Sequence, residues 1–518
     1  MNLVNKGIEL IAPVHAVKRE AARQVLKRNK ILNRGYGEHG ASSRKKAFKG
    51  WLTSLGGPKT DIYEYKDKLV ERSRDLYMGA PLARGALQTM QTNIVGAGLK
   101  LKSAIDVDIL ETDETEIEAL ENRIEKEFAL WANDKIEKTG LMDFYQVQEL
   151  VFLTTMLNGE CFIYLNYFET PGNPYNLKLE IIEPDRIVTP NEKNSDKTVV
   201  SGVQIDNNGR IAGYYVLDKH PNDDESGNDY KYIPVYGKDG QLNMIHLALL
   251  ERPNQVRGVP ILSPVMESLK QLDRYTNAEL MSAVISSMFT IFIETTGVEQ
   301  ATLGEFGNID ESEKVEKNGN NIELTSGAVM ELSPGEKANS INPARPNAQF
   351  DPFMTAIIRQ IGSSLGVPYE LLVMHFTNNY SSSRAALPEA WKNFRKRREW
   401  IARNFCQIVY EEWLRESIFL KRIDIPKFNE DILIRKAYSN AIWNGPSQGQ
   451  IDPLKEANAA VIKINNGLST RTKEVAELNG GDFEQNIRII DRENKILEKK
   501  GVKLNGGTIE VKDNESED

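Results

Sequence analysis

Apolar residues recur every three to four positions in two segments, residues 264–289 and 351–365. This period places them on one face of an α-helix. Each segment starts with a residue that can cap a helix followed by proline, Ser263-Pro264 and Asp351-Pro352, a combination typical of helix starts. Gly366 follows the second segment and predicts its end. We therefore predict two long helices separated by a different kind of structure.

The pattern of apolar residues changes in residues 160–250. Runs rich in β-branched and aromatic residues alternate there with turn sequences such as PGNP, NNG and KDG. Such runs predict short strands. Helical patterns precede this segment from residue 63, and a further helical set follows at 432–500. In that set Asp452 precedes a proline, and the sequence from Asp482 predicts a capping box. The expected fold class is α+β, mainly helical.

Composition narrows the class of protein. The chain has 518 residues, of which 40% are hydrophobic and 27% charged, as in ordinary globular proteins. A net charge of −9 argues against a surface that binds nucleic acid throughout. Cys161 and Cys406 lie far apart in the sequence and are predicted to be buried free thiols. No apolar run is long enough to predict a membrane helix.

Motifs for catalysis are missing. The sequence has no G-x-S-x-G, P-loop, H-E-x-x-H or C-x-x-C motif. Residues 35–40, GYGEHG, match the dinucleotide-binding pattern only literally, since no predicted strand precedes them. Glu183 and Asp185 could act as an acid–base pair, but nothing places them in a pocket, and a salt bridge in a loop is the better explanation. We expect no enzyme activity, no cofactor and no metal site.

A polar loop followed by a basic helix is the most distinctive feature, MHFTNNYSSSRAALPEAWKNFRKRR at 374–398. The serines have no Asp/His pattern nearby to activate them as nucleophiles. Basic side chains on this helix could neutralise phosphates or pair with acids of another subunit, and both interpretations stay open. Pro388 removes a backbone donor, so the helix either starts near Leu387 or kinks there. The basic candidates are Arg384, Lys392, Arg395, Lys396 and Arg398.

Several segments of the sequence together carry a resemblance to a known protein family. They are SSRKKAFKGW, RSRDLYMGAPLARGALQTMQTNIVGAGLKLKS, IHLALLERPNQVRGVPILSPVMESLKQLDRYTNAEL, GVPYELLVMHFTNNYSSSRAAL, WNGPSQGQIDPLKEANAA and GLSTRTKEVAELNGGDFEQ. In these segments, which span about residues 40–500 in order, the chain resembles the lambda-type portal proteins of tailed bacteriophages.

The resemblance implies a portal fold that assembles as a ring. The implied parts are an N-terminal basic arm (1–60), a wing (61–257, β-rich at 160–250), a first stem helix (258–289), a clip (290–349), a second stem helix (350–366), a tunnel loop (374–383), a long wing helix (384–425), a helical crown (426–503) and an acidic tail (504–518).

The implied function is a channel at one capsid vertex, through which double-stranded DNA is packaged and ejected. Expected partners are further copies of the chain, usually twelve, the terminase large subunit, head–tail connector proteins, the major capsid protein and a scaffold protein, with no membrane. The expected location is the virion, after assembly in the cytoplasm of the bacterial host.

The resemblance also assigns candidate sites. The tunnel-loop candidates for contact with DNA are Thr377, Asn378, Asn379, Tyr380, Ser381, Ser382 and Ser383. The clip candidates for docking partners are Asp310, Glu311, Glu313, Lys314, Glu316 and Lys317. Two other functions remain as alternatives: a nucleic-acid-processing enzyme with a basic cleft, and a capsid scaffold or adaptor without a channel.

Overall fold

The structure is a computed structural model of the chain. It describes residues 12–32, 46, 50–51, 53, 55–110, 112–223, 229–288, 292–295, 336–339, 349–375, 380–449 and 452–500. The chain divides into two compact units, Met1–Asp61 and Ile62–Asp518. The described part of the first unit contains helix α1, Pro13–Leu32. Everything that follows concerns the second unit.

The N-terminal half of the second unit begins with helices. A π-helical turn, Lys59–Tyr63, leads into α2 (Glu64–Gly79), α3 (Pro81–Ile94), strand β1 (Lys100–Ser103), α4 (Val107–Leu110), α5 (Glu114–Ala132) and α6 (Phe144–Asn158). Helix α6 starts at a capping box in which Asp143 and Gln146 bond each other's backbone, and it ends at Gly159 with a φ of 84°. Proline at the first position of α3 explains the break after Gly79.

Two antiparallel sheets occupy the segment where short strands were predicted. The first has the order β3-β2-β8 and the second β4-β5-β6-β7. The strands are β2 (Glu160–Tyr167), β3 (Leu177–Ile182), β4 (Val199–Val200), β5 (Val203–Ile205), β6 (Ile211–Leu217), β7 (Tyr230–Pro234) and β8 (Met244–Ala248). Short 3-10 turns at Pro184–Arg186 and Asn191–Lys193 connect them. The mainly helical α+β class is confirmed.

The two helices predicted from the apolar period are present. After a 3-10 turn, Ser263–Val265, α7 spans Met266–Met288, and α8 spans Phe350–Leu365. They pack against each other through aromatic rings: the ring centroid of Tyr275 lies 5.5 Å from that of Phe350 and 5.2 Å from that of Phe353. Strands β9 (Phe292–Thr295) and β10 (Glu336–Asn339) pair antiparallel between them in the sequence.

The predicted caps of these two helices are wrong. Leu262 precedes the 3-10 turn, so Ser263 lies inside it, and its hydroxyl is buried without a hydrogen-bond partner. Helix α8 begins one residue before Asp351 because Phe350 packs on Tyr275, and Gln349 occupies the cap position. The predicted end at Gly366 is confirmed by its left-handed conformation, with a φ of 70°.

The long helix starts earlier than predicted. After the short helix α9 (Tyr369–Leu372), α10 spans Tyr380–Ile401 and includes Pro388. A π-helical segment, Ala402–Cys406, joins it to α11, Gln407–Phe419. The predicted start at Arg384 and the alternative start near Leu387 are therefore wrong. Pro388 leaves the carbonyl of Arg384 without its usual helical donor, yet the helix continues on both sides.

An aromatic cluster holds the long helix in the core. Phe128 of α5 makes edge-to-face contacts with Trp413 and Tyr410 of α11, with ring centroids 5.0 and 5.7 Å apart. Trp131 is fully buried and donates its indole N–H to the carbonyl of Leu177 at 3.1 Å. Such buried rings dominate core energetics, so α11 is fixed to α5. The prediction for the two cysteines is also confirmed, because both are free and buried.

The C-terminal segment is helical and tied to β1. It comprises α12 (Ile432–Tyr438), strand β11 (Ala441–Asn444), α13 (Pro453–Asn465), α14 (Arg471–Asn479) and α15 (Phe483–Lys500). Strand β11 pairs antiparallel with β1. Asp452 caps α13, and the carboxylate of Asp482 accepts from the backbone N–H of Gln485 at 2.9 Å, as the capping pattern predicted. None of the helices described is long and apolar enough to span a bilayer.

Candidate functional site

The tunnel-loop candidates fall into two groups. Thr377, Asn378 and Asn379 lie outside the described residues. Tyr380 and Ser381–Ser383 form the first turn of α10, so their backbone is helical and not a loop. A polar, serine-rich sequence was read as loop because serine has only moderate helix propensity. The segment between the short helix α9 and α10 is therefore shorter than predicted.

The basic candidates on α10 differ in their surroundings. Lys392 is exposed and pairs with Glu389 at 2.6 Å, one turn earlier on the same helix. Arg395 is half-exposed, and its guanidinium lies 3.6 Å from the carboxylate of Glu477 on α14. Lys396 is exposed. These three side chains remain accessible to a phosphate or to another subunit, whereas the side chain of Arg384 lies outside the described set.

Arg398, another of the basic candidates, forms its hydrogen bonds within the chain. Its guanidinium donates to the carbonyls of Asn93 at 2.9 Å, Ile94 at 3.0 Å and Pro446 at 2.7 Å. Burial, and secondarily the charge of Arg395, lowers its pKa to about 10, so it stays protonated at neutral pH. Carbonyls at the end of α3 lack helical donors, and a cation there is also stabilised by the negative end of the helix dipole. Arg398 therefore acts as a clamp: its hydrogen bonds join the end of α3 to Pro446.

The clip candidates lie outside the described residues. What the structure describes of this segment is the antiparallel pair β9 and β10, with Phe292 opposite Asn339 and Thr295 opposite Glu336. Docking through Asp310 to Lys317 therefore stays a prediction. The GYGEHG segment lies outside the described residues as well.

The acid pair that was weighed against catalysis is part of an ion-pair group. The guanidinium of Arg74 lies 2.5 Å from the carboxylate of Asp185 and 3.7 Å from that of Glu183. His220 approaches Glu183 at 3.7 Å. Glu183, Asp185 and His220 could together reach one cation, but Arg74 already pairs with both carboxylates. The salt-bridge interpretation is the one that the geometry supports.

A buried charge cluster, which the sequence did not reveal, lies just before α7. Glu160, at the start of β2, is fully buried and accepts from four groups. Its carboxylate oxygens lie 2.7 Å from the guanidinium of Arg257, 3.0 Å from the ammonium of Lys66, 3.2 Å from His246 and 2.9 Å from the backbone nitrogen of Gly258. We call these five residues the Glu160 cluster.

The electrostatics of the Glu160 cluster favour the ionised carboxylate. Burial alone would raise the pKa of Glu160, but the charges of Arg257 and Lys66 outweigh it and hold the pKa well below the usual value. Burial lowers the pKa of His246, whose ring stacks on Phe162 at 4.1 Å. Burial and the charge of Arg257 lower the pKa of Lys66, while Glu160 acts in the opposite direction. The cluster therefore places one buried carboxylate between the basic groups of Arg257 and Lys66.

Arg257 also connects the two sheets to the segment just before α7. Its guanidinium donates to the carbonyls of Ile187 and Pro184, each at 3.1 Å, and to that of Ser201. The backbone approaches closely next to it, since a Cβ on Gly258 would lie 1.9 Å from the carbonyl oxygen of Gly159. The segment just before α7 is therefore fixed to α2, to β2 and to the second sheet at one point.

A second charge group joins the C-terminal helices to β1 and α5. Lys102 of β1 lies 3.3 Å from Glu125, 3.3 Å from Asp482 and 2.7 Å from Glu484. Burial alone would lower the pKa of Lys102, but the hydrogen bond to Glu484 and the charges of the other two acids raise it above its usual value. The ammonium is therefore a charged tie between α5 and the start of α15.

Replacing Lys102 with methionine is expected to destabilise the C-terminal helices α13–α15. The reason is that Glu125, Asp482 and Glu484 lose the cation that they share. Amide hydrogen exchange in α13–α15 should accelerate by about tenfold, equal to ~1.4 kcal/mol, while exchange in α5 and α6 changes little. The control is Lys455→Met, whose ammonium is 72% exposed and pairs only with Asp452. Equal exchange in both variants would show that Lys102 does not hold the crown.

Comparisons with known proteins agree with the family suggested by the sequence. Portal protein B of Escherichia phage lambda is 27% identical over 436 residues, covering 80% of this chain and 81% of that protein. The portal protein of Escherichia phage N15 is 28% identical over 437 residues, with 80% and 81% covered. A probable portal protein of Halomonas phage phiHAP-1 is 22% identical, with 80% and 77% covered.

Solved structures match less well. The neck of a native gene transfer agent particle, computed with C12 symmetry, covers 80% of this chain and 94% of its own at 12% identity, with a TM-score of 0.42. An HK97 family phage portal protein from Corynebacterium diphtheriae covers 64% and 85% at 12% identity, with a TM-score of 0.29. TM-scores this low carry no argument about the present chain.

The family itself is shown by the sequence. The family model described as "Phage portal protein, lambda family" matches residues 44–398. That stretch is more than half of the chain, and it includes α7, α8, the Glu160 cluster and the basic candidates of α10. The chain belongs to the lambda family of phage portal proteins.

Proposed function

We propose that the chain forms a ring at one capsid vertex and that double-stranded DNA passes through the centre of this ring. The observation that carries the proposal is the family match over residues 44–398. The role is structural, and the chain itself performs no catalysis in it. The subunit number usual in the family is twelve.

The arrangement of α7, β9, β10 and α8 supports a stem-and-clip element. Two helices that pack side by side, joined by a segment with a pair of antiparallel strands, form a hairpin that can project from the wing. The Glu160 cluster anchors the chain just before α7, so that a force on the hairpin would be transmitted to both sheets. We propose that this hairpin lines the channel and presents the clip.

The charge of the chain suits passage of DNA. Each phosphate that a protein neutralises adds affinity and salt dependence, which would oppose sliding. Twelve chains of −9 each give a ring of −108 (12 × −9). We propose that polar residues of the tunnel loop meet the duplex and that the exposed Lys392, Arg395 and Lys396 act locally, on phosphates or on a neighbouring subunit.

The proposed partners follow from the same role. During packaging the ring would dock the terminase large subunit, and afterwards head–tail connector proteins. The major capsid protein and a scaffold protein would hold it at the vertex. Assembly would take place in the cytoplasm of the bacterial host, before the ring becomes part of the virion.

Electron microscopy of the purified chain tests the ring directly. We expect closed rings with a central hole about wide enough for a duplex in negative stain. A nucleic-acid-processing enzyme would instead give monomers with metal-dependent nuclease activity, and a scaffold or adaptor would give assemblies without a hole. Either result would overturn the proposal.

Changing Thr377, Asn378 and Asn379 to glycine is expected to leave rings intact but to reduce the DNA that filled particles retain, because the polar side chains facing the duplex are removed. The measurement is DNase-protected DNA per particle. The control is Asn207→Gly with Asn208→Gly, in an exposed turn of the second sheet. Normal DNA content in the loop variant would remove the proposed channel role.

Deleting residues 307–321 is expected to weaken docking more than assembly, because this polar insert belongs to the proposed clip. Rings should form as in the unaltered chain, while pull-down of terminase and of connector proteins should fall. Unchanged pull-down of both partners would contradict the assignment of the clip as the docking surface.

A further inference from the structure

The last helix, α15, has an apolar surface that the described residues of the chain leave uncovered. None of its residues from Phe483 to Lys500 is buried. Ile487, Ile489, Ile490 and Ile496 are each 45–49% exposed. Burying such side chains contributes roughly 1.5–3 kcal/mol each. The helix lies beyond the segment that the family model matches, 44–398, so its role does not follow from that match.

The exposed apolar residues form two separate stripes. At 100° per residue, Ile487 and Ile490 lie on one side of α15 together with Phe483 and Leu497, and we call this set stripe 1. Ile489 and Ile496 lie about 130° away, and we call this pair stripe 2. A helix that packs on one partner surface needs a single stripe. Two stripes at a wide angle fit a helix that is packed between two neighbours.

Charged residues fill the wide arc between the stripes in a definite order. Asp491 and Glu498 border stripe 1, whereas Arg492 and Lys499 border stripe 2. If stripe 1 of one helix packs on stripe 2 of a parallel copy, the acidic border of the first meets the basic border of the second. Such pairs across a helix interface set partner choice and orientation. The same contact repeated from copy to copy is head-to-tail and closes into a ring.

From this pattern we propose that α15 packs between the α15 helices of the two adjacent copies of the chain, with stripe 1 of each on stripe 2 of the next. The α15 helices then form a ring of parallel helices in the crown. The inference rests on the ring proposed above, but it names a contact that the ring alone does not require. The occupant of both stripes is a second copy of this chain.

Cysteine pairing tests the contact in the full chain. In the variant Ile487→Cys with Ile489→Cys, one thiol lies on stripe 1 and the other on stripe 2, and they are too far round the helix to pair within one copy. Mild oxidation should give a ladder of covalent oligomers that ends at the full ring. The two native cysteines are buried and should not contribute.

The single variants and a polar-arc pair serve as controls. Ile487→Cys alone and Ile489→Cys alone should give no dimer, because stripe 1 does not meet stripe 1 in a head-to-tail contact. The variant Arg488→Cys with Lys499→Cys places both thiols on the charged arc. It should also give no covalent oligomers under oxidation. Dimers from a single-cysteine variant would show a two-fold contact and would overturn the proposal.

A second variant measures the strength of the contact. Ile489→Asp with Ile496→Asp places unpaired charges in stripe 2, and the protein concentration at which rings dissociate should rise by at least about tenfold in mass photometry. Rings that form normally by microscopy, with no covalent ladder and no change in dissociation, would overturn this inference and leave the proposed function intact. Absence of rings from the unaltered chain would overturn both.

Discussion

Replacing Glu160 with glutamine is expected to lower the free energy of unfolding by about 3–5 kcal/mol, because it leaves Arg257 and Lys66 buried without their anion. The carboxylate is fully buried, and both cations are nearly so, at 2% and 5% exposure. The measurement is the urea midpoint of the purified chain. Since the cluster fixes the segment entering α7, the variant should also give fewer rings.

A matched control separates this effect from the general loss of a negative charge. Glu389→Gln removes a carboxylate that is 75% exposed and pairs only with Lys392, so its cost should stay below about 1 kcal/mol. Similar losses in both variants would mean that the Glu160 cluster contributes no more than a surface pair.

The Glu160 cluster also predicts a dependence on pH. The pKa of Glu160 in the folded chain lies below 4.5, the value it has without these partners. Its contribution is therefore fully present above pH 4.5 and is lost as the pH falls through the lower, folded pKa. The stability difference between the unaltered chain and Glu160→Gln should be constant from pH 6 to 8 and should shrink below 4.5. A difference that grows in acid would contradict the assigned pKa direction.

Changing Arg398 to methionine is expected to cost about 2–4 kcal/mol, because the carbonyls of Asn93, Ile94 and Pro446 lose their donor and an unpaired buried acceptor costs about 1–3 kcal/mol. A methionine fills a similar volume, so the loss reports the hydrogen bonds more than a cavity. Unfolding by urea measures the cost, and hydrogen exchange at the end of α3 should locate it.

Arg395→Met is the natural comparison, since it lies three residues earlier on the same helix. Arg395 is 52% exposed and its carboxylate partner lies 3.6 Å away, so the change should cost less than about 1 kcal/mol. If Arg398→Met instead left stability unaltered and reduced only DNA packaging, Arg398 would be a contact to DNA or to a neighbour and not a clamp.

Local patterns predicted the elements that local forces decide. The apolar period predicted α7 and α8, and the side-chain caps at Asp452 and Asp482 formed because a cap needs only its own first turn. The caps at Ser263 and Asp351 failed, since the contact of Phe350 with Tyr275, 75 residues away in the sequence (350 − 275), shifted the second start. Tertiary packing overrides such local signals.

The charged sites were beyond sequence analysis for a physical reason. The Glu160 cluster joins segments separated by up to 192 positions (258 − 66), and none of its charged members differs locally from a surface charge. Arg398 was listed with the basic candidates, although its partners are backbone carbonyls, which any residue carries. The family was accessible because several motifs occur in order, which does not require knowing any contact.

Electron cryomicroscopy of DNA-filled particles tests the central claim most directly. The account predicts one ring of this chain at a single capsid vertex, with a continuous column of density for the duplex along the axis and the segment 377–383 facing that column. A chain distributed over the capsid, or a ring at the vertex whose axis is blocked by protein in filled particles, would contradict it.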